Sequence, residues 1–212
     1  GPEVLADLVD ERVTGILKGG VLPVVIGGDH SVAIGAIRAA ARFQGGASVL
    51  QIDAHADTRE VYQGSPFNHA CVMARARQWC DVVQVGIRAV DASEMPALQA
   101  DRVFWAHDIA AAPDSAWMDD AVAALQGPVW VTIDVDGFDP SVLPATGTPE
   151  PGGLDWHQVT GLLERVARRR QVIGFDVVEL LPTQGQWASD FLAAKLIYRF
   201  LSLIFAHRGG RP

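Results

Sequence analysis

The sequence predicts an α/β fold in which helices cover both faces of one mainly parallel sheet, giving three layers. Short, almost continuous apolar runs alternate with longer segments of helical periodicity along the 212 residues. Such runs are typical of strands that are buried on both faces of a parallel sheet. Strands that alternate with helices indicate right-handed crossover connections. The strand-like runs, about six in all, lie at residues 22–26, 48–52, 82–87, 102–105, 129–133 and 172–175.

Helical segments fill the intervals between these runs. Their apolar residues recur at helical spacing, at residues 4–18, 32–43, 70–79, 117–125, 156–169 and 189–205. No internal repeat, low-complexity linker or shift in composition divides the chain. We therefore expect a single domain over residues 1–212, a length that suits one hydrophobic core.

Composition and charge argue against several classes of protein. The formal net charge of −8 does not suit a nucleic-acid-binding surface, which needs clustered Lys and Arg. It favours small cationic partners. No apolar run reaches the ~20 residues of a membrane span. The two cysteines are too few for a disulfide framework, and the start shows no signal-peptide pattern, so we expect a reducing, cytoplasmic location.

Acidic residues and histidines directly follow the predicted strands. Ligands of open α/β sheets bind at the carboxyl ends of the strands. Charged side chains at such positions are costly to desolvate unless a cation compensates them. The side chains concerned are Asp29, His30, Asp53, His55, Asp57, Asp134, Asp136, Asp176 and Glu179.

Six of these side chains have the spacing of metal ligands: His30, Asp53, His55, Asp57, Asp134 and Asp136. Those at residues 53–57 alternate with alanines, which in an extended chain points all three to one side. Carboxylates converging on one patch repel each other, and two divalent cations sharing a carboxylate relieve that repulsion. Oxygen and nitrogen ligands without thiolate favour manganese or a similar ion over a structural zinc. Such metal pairs, about 3.5–4 Å apart, activate water for hydrolysis.

Each fragment alone also has an ordinary structural explanation. An isolated Asp-x-Asp is usually a loop or a cap. Gly-Gly-Asp-His at residues 27–30 is most often a tight strand-to-helix turn, with Asp29 or Ser31 capping the following helix. The presence of three such motifs, each at the end of a strand, favours the metal centre.

These motifs resemble the ureohydrolases, the family of binuclear manganese enzymes that includes arginase and agmatinase. The resemblance extends over residues 17–205 and rests mainly on the motifs at residues 27–31, 53–57, 133–154, 176–179 and 193–198. It implies that one manganese ion is bound by His30, Asp53, Asp57 and Asp134. It implies that the other is bound by Asp53, His55, Asp134 and Asp136, so that Asp53 and Asp134 bridge the pair.

The resemblance also implies the reaction, in which a hydroxide bridging two Mn²⁺ ions hydrolyses a guanidinium group to an amine and urea. Glu179 is expected to bind the guanidinium, which a carboxylate matches as a planar two-point pair. Asp57 would pass a proton to the leaving amine. His69 would contact the substrate and shuttle protons with solvent. Thr146, like Thr148, would donate a hydroxyl to the substrate or to ligand carboxylates, unless it only fixes a Pro/Gly-rich turn.

The loop after residue 57 bears on the substrate. Residues 58–69 look like the agmatinase form of this loop rather than the Asn- and Ser-rich arginase form. We therefore expect agmatine to be hydrolysed to putrescine and urea, as in polyamine biosynthesis. Guanidinobutyrate is the close alternative, with Arg59 receiving its carboxylate.

Two other classes of function are alternatives. A catalytically inactive, metal-binding homologue would act as an assembly or regulatory subunit, but such a relative usually loses a ligand, and here the set is intact. A nucleotide-binding domain needs a phosphate loop, and no Gly-x-Gly-x-x-Gly follows the first predicted strand.

The family fold has eight strands, two of them before the motif at residues 27–31. Only six are predicted here, so we expect an N-terminally short domain with an open sheet edge at residues 22–26. Unpaired edge strands invite pairing with another chain. We therefore expect a homo-oligomer, or a partner, to cover this edge.

Overall fold

A computed structural model describes residues 1–208, in which six strands form one sheet, as the sequence predicts. The strands are β1 (Val24–Ile26), β2 (Ala47–Ile52), β3 (Cys80–Ile87), β4 (Val103–Trp105), β5 (Val129–Asp134) and β6 (Val172–Val178). Their order is β1-β6-β5-β2-β3-β4, and all pairings are parallel. The sheet is thus wholly parallel, where a mainly parallel one was predicted.

The helices are α1 (Pro2–Lys18), α2 (Val32–Gln44), α3 (Val72–Ala76), α4 (Ala106–Ala111), α5 (Ala116–Ala124), α6 (Trp156–Arg169) and α7 (Trp187–Arg208). The helix predicted over residues 70–79 is shorter than expected, because a 3₁₀ turn at His69–Cys71 precedes α3 and the chain must reach β3 at Cys80. Helix α4 was not predicted, because its polar residues His107 and Asp108 interrupt the apolar pattern.

Two apolar clusters lie on opposite faces of the sheet and make the three layers. One cluster packs α1, α2 and α3 against alternate strand residues such as Val49 and Trp130. The other packs α5, α6 and α7 against the intervening residues, such as Leu50 and Val131. Because successive strand residues face opposite sides, both faces need apolar residues, which explains the nearly continuous apolar runs.

The β1 edge of the sheet is open. Strand β1 pairs with β6 on one side, and within residues 1–208 no strand pairs with its other side. Ile26 at the end of β1 is 72% exposed. The structure therefore contains the open edge that was predicted near residues 22–26, although the strand itself begins at Val24.

Two further expectations concern the helices and the cysteines. In the described part of the chain, none of the helices combines the length and the apolar character that crossing a membrane requires. Cys71 and Cys80 are both free thiols. Burial raises the pKa of the Cys80 thiol to about 12, so it stays protonated and unreactive near neutral pH.

Candidate metal centre

The candidate site lies at the carboxyl ends of four neighbouring strands. The sheet order places β1, β6, β5 and β2 side by side. Shortly after β1 the chain reaches His30, β2 runs into residues 53–57, β5 ends at Asp134, and β6 runs into Glu179. Because the strands are parallel, these residues share the one edge of the sheet where open α/β folds bind ligands.

Asp53 lies between two imidazoles. Its Oδ2 is 3.4 Å from Nδ1 of His30, and its Oδ1 is 3.6 Å from Nδ1 of His55. Two groups of possible ligand atoms share this carboxylate, and within each group all atoms lie within 4.8 Å of one another. The groups are His30, Asp53 and Asp134, and Asp53, His55 and Asp136. A carboxylate common to two groups is suited to bridging a pair of divalent cations.

The other predicted ligands lie around the same two imidazoles. Oδ2 of Asp57 is 2.9 Å and Oδ2 of Asp134 is 3.5 Å from Nδ1 of His30. Oδ2 of Asp136 is 3.0 Å from Nδ1 of His55. All six predicted ligands therefore surround one patch. Asp134 joins only the first group of ligand atoms, so its bridging role stays a prediction.

The buried imidazole of His30 presents a lone pair to this patch. Its Nε2 lies 2.8 Å from Oγ1 of Thr132, whose hydroxyl donates to Oδ1 of Asp176 at 2.6 Å. Since that hydroxyl hydrogen is used on Asp176, Nε2 of His30 carries the proton and donates to Thr132. Nδ1 is buried, and although Oδ2 of Asp57 lies 2.9 Å from it, no group within residues 1–208 is placed to form a hydrogen bond with it. Metal-binding imidazoles have this arrangement, with one nitrogen held by an outer partner and the other free to ligate.

The electrostatics of the cluster also fit divalent cations. Burial, followed by the charge of Asp53, raises the pKa of Asp57 to about 7. Burial, followed by the charges of Asp53 and Asp136, raises the pKa of Asp134. Burial disfavours a charged imidazole, but the Asp136 and Asp53 carboxylates nevertheless raise the pKa of His55 to about 11. Carboxylates this close together are stabilised by cations between them, and two divalent ions supply that charge.

Two site residues have a left-handed backbone. In the described residues, positive φ outside glycine occurs at Asp57 (53°), Gln63 (49°) and Glu179 (62°). The carbonyl of Asp57 accepts a hydrogen bond from the N–H of Met73 at 2.9 Å, and the N–H of Glu179 donates to the carbonyl of Gly28 at 2.7 Å. Such conformations persist where the surrounding structure holds them, and they cluster at functional sites.

A cleft of about 600 Å³ opens over the carboxylates. Glu179 lines it, and its Oε1 accepts a hydrogen bond from the backbone N–H of His30 at 2.5 Å. Burial raises the pKa of this carboxyl. Its other oxygen accepts no hydrogen bond from residues 1–208. Further polar residues that line the cleft are Arg59, Tyr62, Asp91, Glu94, Thr148 and Glu150.

His69 also lines this cleft and is paired with Asp29. Its Nδ1 lies 3.1 Å from Oδ2 of Asp29, and 40% of its side chain is exposed. Its ring meets that of Tyr62 edge-on, with the ring centroids 5.7 Å apart. The hydrogen bond to Asp29 raises the pKa of His69. A half-exposed imidazole beside a carboxylate is suited to exchanging protons with solvent.

Thr148, and not Thr146, lines the cleft. The hydroxyl of Thr148 donates to Oδ2 of Asp136 at 3.1 Å. The Thr146 hydroxyl is buried and has no hydrogen-bond partner in the described chain. The structure therefore gives the expected contact with a ligand carboxylate to Thr148, while a role for Thr146 toward substrate stays a prediction.

The placement of Asp176 at a strand end was wrong. Strand β6 continues through Val178, so Glu179 is the residue that follows the strand. Asp176 is fully buried inside β6, where it accepts hydrogen bonds from Nε1 of Trp130 and Oγ1 of Thr132, each at 2.6 Å. The strand continues beyond Asp176 because its backbone pairing does, with Val177 opposite Ile26 of β1 and Ile133 of β5.

Several acidic residues of the cleft were missed. Asp91 and Glu94 follow β3, and Glu150 lies in the long loop after β5. Glu94 is buried, and its Oε1 accepts a hydrogen bond from the N–H of Thr58 at 2.9 Å. A sequence signal was present, since the acidic residues after β3 follow a buried strand just as the predicted ligands do.

Comparisons with known proteins relate the chain to one family. Residues 2–202 match the model of the arginase family. The chain is 39% identical over 201 residues to an N(1)-aminopropylagmatine ureohydrolase of Synechocystis sp., covering 91% of this chain and 64% of that protein. It is 36% identical over 186 residues to an agmatinase of Pyrococcus horikoshii, covering 86% of this chain and 62% of that protein.

A solved structure gives the same relationship. The agmatine ureohydrolase of Thermoplasma volcanium superposes with a TM-score of 0.87 at 30% identity, covering 100% of this chain and 72% of that one. The chain spans 64% and 62% of the lengths of the two sequence relatives. The family match nevertheless extends over most of the chain, from residue 2 to residue 202. The chain belongs to the arginase family.

Proposed function

We propose that this chain, acting as one catalytic domain over residues 1–212, is a metal-dependent ureohydrolase that hydrolyses a guanidino compound to an amine and urea. The observation that carries the proposal is the Asp53 carboxylate between the imidazoles of His30 and His55, beneath an acidic cleft. We propose Mn²⁺ as both ions, because a carboxylate-rich set of ligands without thiolate suits manganese better than a structural zinc. When bound, the ion pair would supply a water of lowered pKa as the nucleophile.

Three residues would serve the substrate and its protons. The backbone N–H of His30 occupies one oxygen of Glu179, which leaves the other to accept a hydrogen bond from the guanidinium. Asp57 would take the proton of the attacking water and give it to the leaving amine nitrogen. His69, half-exposed in the same cleft, would carry other protons between the cleft and solvent.

The charge of the cleft favours a substrate that carries a second cation. Arg59 is the one Arg or Lys among the described residues that line it. Two carboxylates hold this guanidinium, with its Nη2 3.6 Å from Oδ2 of Asp91 and its Nε 3.5 Å from Oε2 of Glu94. Its guanidinium also stacks over the Tyr62 ring at 4.8 Å. A carboxylate on the substrate would have to displace these partners, whereas an ammonium meets net negative charge.

We therefore propose a guanidinoalkylamine as substrate, either agmatine or its N(1)-aminopropyl derivative, the compounds for which similar proteins are named. The test measures urea release by the Mn²⁺-loaded protein from these two amines, arginine and guanidinobutyrate. At least one amine is expected to exceed both acids in kcat/KM by about 100-fold, which corresponds to ~2.7 kcal/mol.

Two outcomes would contradict this proposal. Faster turnover of arginine or guanidinobutyrate would overturn the choice of substrate, and would show that Arg59 is available to a carboxylate. Bound Mn²⁺ with no urea from any of the four compounds would overturn the hydrolase itself and would favour the inactive, metal-binding homologue.

We also propose that the chain forms a homo-oligomer through the open edge at β1. That edge has no partner strand within residues 1–208, and Ile26 is 72% exposed. Unprotected edge strands with apolar side chains favour pairing with another copy, and charged residues oppose it. Light scattering should give a mass of at least two chains, and Ile26→Lys should shift the protein toward monomer. A monodisperse wild-type monomer would contradict the proposal.

A further inference from the structure

A continuous chain of hydrogen bonds runs from Arg77 to Asp53. Nη2 of Arg77 donates to Oε1 of Gln84 at 2.9 Å. Nε2 of Gln84 donates to Oε1 of Gln51 at 2.7 Å, and Nε2 of Gln51 donates to Oδ2 of Asp53 at 2.7 Å. The two glutamines lie opposite each other in the register of β2 and β3. Only Gln51 contacts Asp53 directly, and none of Gln51, Gln84 and Arg77 is among the predicted site residues.

The charged groups at the two ends of this hydrogen-bond chain, Arg77 and Asp53, fix the direction of every bond in it. A guanidinium can only donate hydrogen bonds, and an ionised carboxylate can only accept them. The oxygen of Gln84 must therefore face Arg77, which turns the Gln84 amino group toward Gln51. Because Gln51 then accepts this hydrogen bond through its oxygen, its own amino group points toward Asp53. The orientation of both amides thus follows from the charges at the ends.

The remaining amide hydrogens hold the backbone of the ligand segment. Nε2 of Gln84 also donates to the carbonyl of Ala56 at 2.9 Å, and Nε2 of Gln51 also donates to the carbonyl of His55 at 3.2 Å. Both glutamine side chains are fully buried, at 0% exposure. A buried amide is costly unless its hydrogens are bonded, and here all four are, three of them to residues 53–56.

The Asp53 carboxylate is held at both oxygens as a result. Oδ2 accepts from Gln51, and Oδ1 accepts from the backbone N–H of His55 at 2.6 Å. These are the oxygens that face the His30 and His55 imidazoles, respectively. A carboxylate that must present one oxygen to each of two cations depends on its rotation, and outer hydrogen bonds set that rotation.

We propose that Gln51, Gln84 and Arg77 are positioning residues for the metal pair, because they set the rotation of the carboxylate that both ions would share. The inference rests on the proposed function only in requiring that the site binds metal. Arg77 is the anchor, since its half-buried side chain also donates through Nη1 to the carbonyl of Ala97. Loss of such outer partners typically lowers metal affinity by about 10–100-fold.

Gln84→Glu tests the direction of the hydrogen bonds between Arg77 and Asp53. A glutamate keeps an acceptor for Arg77 and pairs with its charge, but it has no hydrogen for Gln51 or for the carbonyl of Ala56. Gln51 must then turn its amino group toward the new carboxylate and its oxygen toward Asp53. Titration calorimetry of the metal-free protein with Mn²⁺ alone should show affinity lowered by about 10–100-fold.

Ser48→Ala is the matched control. Ser48 is fully buried on the same strand, at its opposite end from Asp53, and its hydroxyl donates to the carbonyl of Gln126 at 2.7 Å. The same hydroxyl accepts from the N–H of Gln126 at 2.8 Å, so its loss removes two buried hydrogen bonds. Neither belongs to the hydrogen-bond chain from Arg77 to Asp53, so Mn²⁺ affinity should not change. Thermal melting of the metal-free variants separates a loss of stability from a loss of metal binding.

Each result bears on the proposal. Weakened Mn²⁺ binding by folded Gln84→Glu, with Ser48→Ala unchanged, supports the positioning role. If wild type binds Mn²⁺ and Gln84→Glu binds it equally tightly, the positioning role is overturned and the proposed function stands. A wild-type protein that binds no Mn²⁺ overturns both. If Gln84→Glu does not fold, Arg77→Met provides the same test, because it removes the donor at the half-buried end of the hydrogen-bond chain. Undiminished Mn²⁺ affinity in Arg77→Met would overturn the positioning role.

Discussion

Asp53→Asn should remove nearly all urea release and weaken both metal sites together. Asp53 is the residue common to the two groups of candidate ligands, and it is fully buried between two imidazoles. Asparagine keeps the size of the side chain but has no charge and only one oxygen, so it cannot serve both ions. We expect kcat/KM to fall by about 1,000-fold or more, ~4 kcal/mol of transition-state stabilisation.

Metal analysis of the same variant should show fewer than two Mn²⁺ ions per chain where wild type binds two. Asp81→Asn is the control, because Asp81 lies at the opposite end of the sheet, where its Oδ1 is 3.1 Å from Nη1 of Arg102. That variant should retain metal and activity. An Asp53→Asn protein with both ions bound and unchanged turnover would show that Asp53 is not the shared ligand.

Glu179→Gln should separate turnover from metal binding. Glutamine preserves an oxygen for the backbone N–H of His30, the contact that holds the present side chain at 2.5 Å. It loses the negative charge that would pair with the guanidinium. We expect kcat/KM to fall by about 100–1,000-fold, roughly 3–4 kcal/mol, while calorimetry still detects two bound Mn²⁺ ions.

Glu11→Gln, on the exposed face of α1, is the matched control for loss of one acidic charge and should leave turnover unchanged. Retained activity in Glu179→Gln would remove Glu179 from substrate binding. Loss of Mn²⁺ in that variant would instead assign Glu179 to the metal site, and another carboxylate of the cleft would have to hold the substrate.

The fold was largely predictable because its strands are buried on both faces. A strand such as Val129–Asp134 needs apolar residues on both sides, and the resulting run is unmistakable in the sequence. The end of β6 was less predictable, because the charged residue Asp176 indicates the end of an apolar strand. The buried carboxylate is accommodated inside the strand because Trp130 and Thr132, distant in sequence, donate hydrogen bonds to it.

The candidate site was predictable where its residues stand next to strands in short motifs, as at residues 53–57. How these residues meet was not predictable, since Asp57 reaches His30 from a left-handed backbone rather than an extended one. The hydrogen-bonded pair of Gln51 and Gln84 depends on the register of two strands more than 30 residues apart. A single sequence does not reveal that register, and the two glutamines read as ordinary interruptions of apolar runs.

Anomalous diffraction at the manganese edge, from crystals of this chain grown with Mn²⁺, tests the two-metal centre most directly. Two peaks about 3.5–4 Å apart are expected, with the Asp53 carboxylate between them. One peak should lie among His30, Asp53 and Asp134, and the other among Asp53, His55 and Asp136. No peak at these residues, or a single peak that leaves Asp53 without a metal, would contradict the proposed centre and the hydrolysis that depends on it.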